Sequence, residues 1–184
     1  LEIALWPEYD RPALLVIYRA TLPESTPLPA QITLPVPAEA GEPTAVAFAD
    51  DQGQLLLTSY SRTVDGDWAT LVIRAPSPRI QVEYYLDIAL DGMERRIEFG
   101  WPGGVSAAQA GFEVQEPAGS SALEIDPAPQ RSRLAPDGLT IHSGNLGPLA
   151  ADSTFDLRVR YSGAPPAAPG ASSEPAPAAP PGEA

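Results

Sequence analysis

The sequence contains no cysteine, no lysine and only one histidine, His142. Without cysteine the chain can form no disulfide, no thiolate metal site and no cysteine nucleophile. A lone imidazole also lacks the second histidine that would complete a histidine-based metal site. Nor is there a run of about 18 apolar residues, so the sequence predicts no helical membrane insertion within this chain.

Positive charge is scarce as well. All 11 cationic residues are arginines, against 24 acidic residues, and the formal net charge is −13. Binding to a phosphate backbone or to an anionic membrane requires a cationic surface. Because no arginine cluster exceeds the pairs at 95/96 and 131/133, the composition argues against nucleic acid and anionic membranes as partners.

Alternation of apolar and polar residues recurs along the chain and indicates half-buried β-strands. No segment has a sustained helical period, and only residues 106–110 form a candidate helical turn. Frequent short strands between Gly and Pro turns predict an all-β, sandwich-class fold. The predicted strands cover residues 1–5, 13–22, 31–36, 45–49, 55–62, 68–74, 80–86, 95–101, 110–115, 123–125, 139–142 and 155–161.

Two strands carry additional information. Residues 14–18 are continuously apolar, which predicts burial on both faces of the sheet. Pro35 and Pro37 close the strand at 31–36, and proline inside a strand indicates a sheet edge or a strand end.

The clearest alternation covers residues 80–101. Asp91-Gly92 separates its two halves and is a strong hairpin signal, because a type I′ turn needs positive φ at both central residues. In such a hairpin, Tyr84 faces Phe99. One interpretation of the fold is therefore a single larger sandwich with residues 80–101 as its central hairpin.

A faint internal repeat supports a second interpretation. Five segments of the first half recur in the same order in the second half, displaced by roughly 70 to 80 residues. The pairs are residues 17–23 with 98–104, 31–41 with 111–120, 45–48 with 122–125, 65–73 with 137–144 and 80–85 with 157–162.

The repeat predicts two tandem units, residues 1–90 and 94–162, with residues 88–93 as the linker. Each unit resembles an immunoglobulin-like β-sandwich in strand number and spacing, although neither has the Cys…Trp…Cys pattern of antibody domains. In strand number and spacing the chain is similar to the extracytoplasmic modules of bacterial surface and membrane-anchored proteins. The similarity includes no specific shared motif. The resemblance implies an exported or cell-surface location. In the tandem arrangement Tyr84 and Phe99 lie in different cores, whereas in the hairpin they touch.

Residues 163–184 contain only Pro, Ala, Gly, Ser and Glu. Such a segment cannot bury a core, which predicts a disordered Pro/Ala-rich linker or stalk. With an export signal before Leu1 and an anchor beyond Ala184, this stalk would hold the folded part away from a membrane or wall.

No constellation of catalytic residues stands out. His142 lies near a strand end, and the G-x-S-x-G motif of serine hydrolases is absent. Weak calcium candidates are the acidic turns with Asp50 and Asp51 and with Asp65 and Asp67, but Asp and Gly are also the residues that turns require. We therefore expect no enzymatic activity, no cofactor and no metal.

Four aromatic residues are the candidate ligand-binding residues. Trp6, Tyr9, Trp68 and Trp101 could stack against sugar rings if they were exposed, although aromatic residues also fill sandwich cores. The sequence favours a non-catalytic exported module for spacing, adhesion or protein–protein contact at the cell surface, with a protein or a cell-surface polymer as partner. The alternative is a carbohydrate-binding module that uses these aromatic residues.

Overall fold

The computed structural model describes residues 1–163, which form fifteen β-strands and one short 3₁₀ turn. The all-β prediction is confirmed. The strands are β1 (Glu2–Pro7), β2 (Leu14–Thr21), β3 (Ala30–Pro37), β4 (Ala45–Ala49), β5 (Leu55–Leu57), β6 (Tyr60–Asp65), β7 (Trp68–Ala75), β8 (Arg79–Leu86), β9 (Ala89–Asp91), β10 (Glu94–Trp101), β11 (Ala107–Gln115), β12 (Ser121–Asp126), β13 (Arg131–Leu134), β14 (Thr140–Leu149) and β15 (Phe155–Ser162), and the 3₁₀ turn is Ala38–Ala40.

The strands form three sheets. One has eight strands in the order β13-β14-β11-β1-β2-β8-β4-β5, one has four in the order β12-β15-β10-β9, and one has three in the order β3-β7-β6. Buried side chains from all three sheets form one apolar cluster. The two smaller sheets therefore cover one face of the large sheet, and we call its opposite face the outer face.

The two halves of the chain share a pattern of strand pairing. In the first half β2 and β4 both pair with β8, and β3 and β6 both pair with β7. In the second half β10 and β12 both pair with β15, and β11 and β13 both pair with β14. This correspondence follows the order of the sequence repeat.

The halves are nevertheless joined. β1 pairs antiparallel with β2 and parallel with β11, so it connects both halves within the large sheet. The Tyr18 ring on β2 lies 5.6 Å from that of Trp101 and 6.2 Å from that of Phe99, both on β10. A division into two tandem units, residues 1–90 and 94–162, is therefore not confirmed.

Residues 80–101 do not form the central hairpin. β8 lies between β2 and β4, so both of its edges are occupied, and β10 pairs with β15 and with the short strand β9. The hairpin at Asp91 does form, but it joins β9 to β10, with Asp91 paired to Glu94. Tyr84 and Phe99 belong to one core and are connected through Tyr18, which contacts both rings.

Several local predictions are confirmed and others are wrong. All of residues 14–18 are buried, on the core side and on the outer face alternately. β3, with its two prolines, is an edge strand. The candidate helical turn at 106–110 instead begins β11, because β14 pairs with that segment, Ala107 with Leu149 and Ala110 with Gly147. Residues 164–184, nearly all of the predicted tail, lie outside the described residues.

Candidate functional site

The edges of the three sheets differ in how they are protected. An edge strand presents unpaired backbone groups, and proteins usually place charges or prolines there to prevent pairing with another chain. Among residues 1–163, six strands lie at sheet edges, and five of them carry such residues. These are Arg131 and Arg133 on β13, Glu124 and Asp126 on β12, Asp91 on β9, Pro35 and Pro37 on β3, and Arg62 and Asp65 on β6.

The sixth edge strand, β5, consists of three leucines. Leu55, Leu56 and Leu57 are 50%, 44% and 77% exposed. Leu56 pairs with Phe48, which packs against the core, so Leu55 and Leu57 project to the outer face. Apolar side chains thus project from both faces of an unprotected edge. We call these three residues the β5 edge.

Hydrogen bonds before β5 set the direction of the strand. The Asp50 carboxylate accepts hydrogen bonds from the backbone N–H groups of Gln52 and Gln54, at 2.9 and 2.8 Å. The Arg79 guanidinium donates to the Asp50 carbonyl at 2.7 Å. These bonds close the turn that brings β5 back alongside β4.

Hydrogen bonds after β5 determine where the strand ends. The Thr58 N–H donates to the Val46 carbonyl at 2.9 Å, and its hydroxyl donates to the Arg74 carbonyl of β7 at 2.7 Å. Thr58 is therefore the point at which the chain passes from the large sheet to the three-stranded sheet. The prediction of a single strand at residues 55–62 is therefore wrong, because the chain breaks at Thr58 into β5 and β6.

Acidic groups lie near both ends of the β5 edge. Asp51 is exposed in the turn beside it, next to Asp50. On the following strand the Tyr60 hydroxyl donates to Glu42 at 3.0 Å, and burial together with this carboxylate raises the pKa of Tyr60. The Arg79 guanidinium also lies at the turn, on the Asp50 carbonyl. Three carboxylates against this one cation, on a molecule of net charge −13, would favour a partner with positive charge.

The four candidate aromatic residues do not form one platform. Trp6 lies on the outer face of the large sheet, and its ring centroid is 4.8 Å from that of Tyr9, which is 50% exposed. Trp68 lies on β7 in the opposite layer and points away from the core, since its neighbour Ala69 faces inward. Trp101 is 1% exposed and is a core residue, so it is not available to a ligand. The structure brings together only Trp6 and Tyr9.

The candidate calcium ligands have roles in turns. Asp50 caps its own turn, as described above, and Asp65 pairs with Trp68 across the two-residue turn of Gly66 and Asp67. Within residues 1–163, no group of three or more His, Cys, Asp or Glu residues is arranged to hold a metal ion.

His142 has two hydrogen-bond partners that the sequence did not predict. Its Nδ1 lies 2.9 Å from the Ser132 hydroxyl, and its Nε2 lies 3.1 Å from the Glu116 carboxylate. In a catalytic triad the serine contacts Nε2 and the acid contacts Nδ1, so the two nitrogens are exchanged here. These contacts link β14 to β13 and to Glu116, the residue that follows β11.

No protein-family model matches the chain, and no curated protein matches it. Among the described residues, no helix is long and apolar enough to cross a membrane.

Proposed function

We propose that this chain is a non-catalytic, exported module for protein–protein contact, and that the β5 edge is its contact surface. The observation that carries the proposal is the exposure of three consecutive leucines on an edge strand without charge or proline. Such an edge readily accepts an added strand from another chain. The contact would combine backbone hydrogen bonds with burial of the leucine side chains.

The finer architecture that we propose is two immunoglobulin-like units followed by a Pro/Ala-rich spacer. The matching strand pairings of the two halves support it, since β8 and β15 each lie between two equivalent partners. The spacer and the cell-surface location remain predictions from the sequence.

The partner that fits the β5 edge is an extended segment with apolar and basic residues. Apolar side chains would cover the leucines, and basic ones would face Asp50, Asp51 and Glu42. A second copy of this chain fits less well, because each copy carries a net charge of −13 and like charges repel.

Structural roles for the titratable side chains support the non-catalytic part of the proposal. The Asp50 carboxylate closes a turn and the His142 imidazole joins strands, so both groups have a purpose within the fold.

The test uses synthetic peptides of defined charge. A labelled peptide that alternates valine and lysine should bind, as measured by fluorescence anisotropy, and the matched peptide of valine and glutamate should bind more weakly. Leu57→Lys should remove binding of the valine–lysine peptide, because it places a cation on the β5 edge. Leu134→Lys is the matched control, since Leu134 is 73% exposed on the other edge of the same sheet.

Two results would contradict the proposal. Equal loss of binding in both lysine variants would show that the peptide responds to net charge rather than to the β5 edge. A concentration-dependent dimer that Leu57→Lys dissociates, seen by sedimentation equilibrium, would replace the basic partner with a second copy of the chain.

A further inference from the structure

The outer face of the large sheet carries a second surface feature, a polar groove of about 750 Å³. Its floor crosses β2, β1, β11 and β14. Strand register places Arg19, Glu2, Gly111 and Asn145 in one row across these four strands. Because Gly111 has no side chain, the middle of this row is open, and the groove follows that gap. The strands β8 and β4 separate the groove from the β5 edge.

Both carboxylates of the groove are paired with arginines. Arg19 lies 2.6 Å from a Glu2 carboxylate oxygen and 3.4 Å from one of Glu113. Glu113 also pairs with Arg133 at 3.1 Å. These ion pairs fix the two carboxylates in position. Arg131 also lines the groove, so the arginines in and beside it outnumber its two carboxylates, in contrast to the strongly acidic molecule as a whole.

Uncharged donors and acceptors also line the groove. Gln130 holds the backbone of Asn145 on both its N–H and its carbonyl, at 2.9 and 3.3 Å. The Asn145 side-chain oxygen accepts a hydrogen bond from the Gly147 N–H at 2.8 Å, which orients the amide and leaves its NH₂ to donate. Gln109 and Ser143 also line the groove. Oriented amides and hydroxyls of this kind match the hydroxyl groups of a neutral sugar.

An aromatic pair lies on the same face. Trp6 is four residues along β1 from Glu2, a separation of about 13 Å in a strand. The Arg19 guanidinium bridges this interval, because its central carbon is 6.0 Å from the Trp6 ring. The half-exposed Tyr9 ring adjoins Trp6. The apolar face of a sugar ring could pack on this pair while its neighbours occupy the groove.

We propose that this outer-face groove, together with Trp6 and Tyr9, binds an uncharged oligosaccharide. A polyanionic sugar is disfavoured by the net charge of −13, and the arginines disfavour a cationic ligand. The site uses two of the four aromatic residues predicted from the sequence and adds Arg19, Glu113 and Asn145, which come from distant parts of the chain.

The experiment is isothermal titration calorimetry of the full chain with cellohexaose, maltohexaose, mannohexaose and chitohexaose, and with polygalacturonate as the anionic comparison. At least one neutral sugar should bind. Asn145→Ala and Tyr9→Ala should each weaken binding about fivefold or more, as expected for loss of a hydrogen bond or a packing contact. Ser143→Tyr should block binding, because the larger side chain would enter the groove.

Leu57→Lys is the matched control and should leave sugar binding unchanged, so the outcome does not depend on the β5 edge. Circular dichroism and urea unfolding confirm that each variant is folded. The proposal is overturned if none of the four neutral sugars binds to the folded protein, if Ser143→Tyr binds as well as the wild type, or if polygalacturonate binds in preference to the neutral sugars.

Discussion

Glu8 and Arg95 form an ion pair between the two halves of the chain, with Oε1 and Nε 3.3 Å apart. Arg95, on β10, is fully buried, and it also donates to the Gly92 carbonyl at 3.0 Å. The other Glu8 oxygen accepts a hydrogen bond from the Tyr161 hydroxyl at 2.9 Å. Glu8 lies in the loop between β1 and β2 with a φ of 52°, so this loop places one carboxylate against two buried groups of the second half.

Glu8→Ala should destabilise the protein by about 2–4 kcal/mol, because it removes a carboxylate that pairs with a buried guanidinium and accepts from the Tyr161 hydroxyl. Urea unfolding measures the change. Glu24→Ala is the control, since Glu24 is an exposed loop residue. Equal stability of the two variants would show that the ion pair does not join the halves.

The buried Tyr18 and Tyr84 hydroxyls form a pair, with Tyr84 donating to Tyr18 at 2.5 Å. Tyr18→Phe or Tyr84→Phe alone leaves one buried hydroxyl without its partner and should cost about 1–2 kcal/mol of stability. The double variant removes both polar groups and should lie within about 1 kcal/mol of the wild type. Additive losses in this double-mutant cycle would contradict the pairing.

The same tyrosines should make the protein sensitive to alkali. Burial raises the pKa values of Tyr18 and Tyr84, so the folded protein holds both as neutral phenols. In the unfolded chain tyrosine ionises near pH 10. The contribution of these groups to stability is complete below about pH 10 and declines as the pH rises further.

Urea unfolding between about pH 9 and about pH 11 should show this decline, and the Tyr18→Phe/Tyr84→Phe variant should show a smaller one. Tyrosinate absorbance provides a second measurement. It should report that the buried tyrosines ionise only as the protein unfolds. Complete ionisation with an intact fold would refute the expectation.

Gly144 on β14 lies against the buried ring of Phe112 on β11, its register partner. A Cβ atom at residue 144 would overlap this ring. Gly144→Ala should therefore destabilise the protein by about 1–3 kcal/mol through overpacking.

Phe112→Leu in the Gly144→Ala background should recover part of the loss, because it makes room for the added methyl group. Gly100→Ala is the matched control, since a Cβ there meets only Asp156 Oδ1, at an ordinary 3.6 Å. Urea unfolding of the four proteins tests the contact, and a neutral Gly144→Ala would argue against it.

Much of the local structure could be predicted from the amino-acid pattern. Alternation predicted most of the strands, the prolines of β3 predicted an edge, and the continuous apolar run of β2 predicted burial on both faces. The candidate sites were harder to predict from the sequence, because only Trp6 and Tyr9 of the predicted aromatic residues lie together. Arg19, Glu113 and Asn145 are far apart in sequence, and register alone brings them to one groove.

The sequence by itself determined which residues could form strands, where many of the turns fall and the order of the internal repeat, because these depend on neighbouring residues. Only the tertiary structure decided the partner of each strand. It placed β8 between β2 and β4 rather than beside β10, joined the halves through β1, buried Trp101 and left the β5 edge exposed. The physical reason is that alternation reports which side chains share a face, whereas long-range packing determines what covers that face.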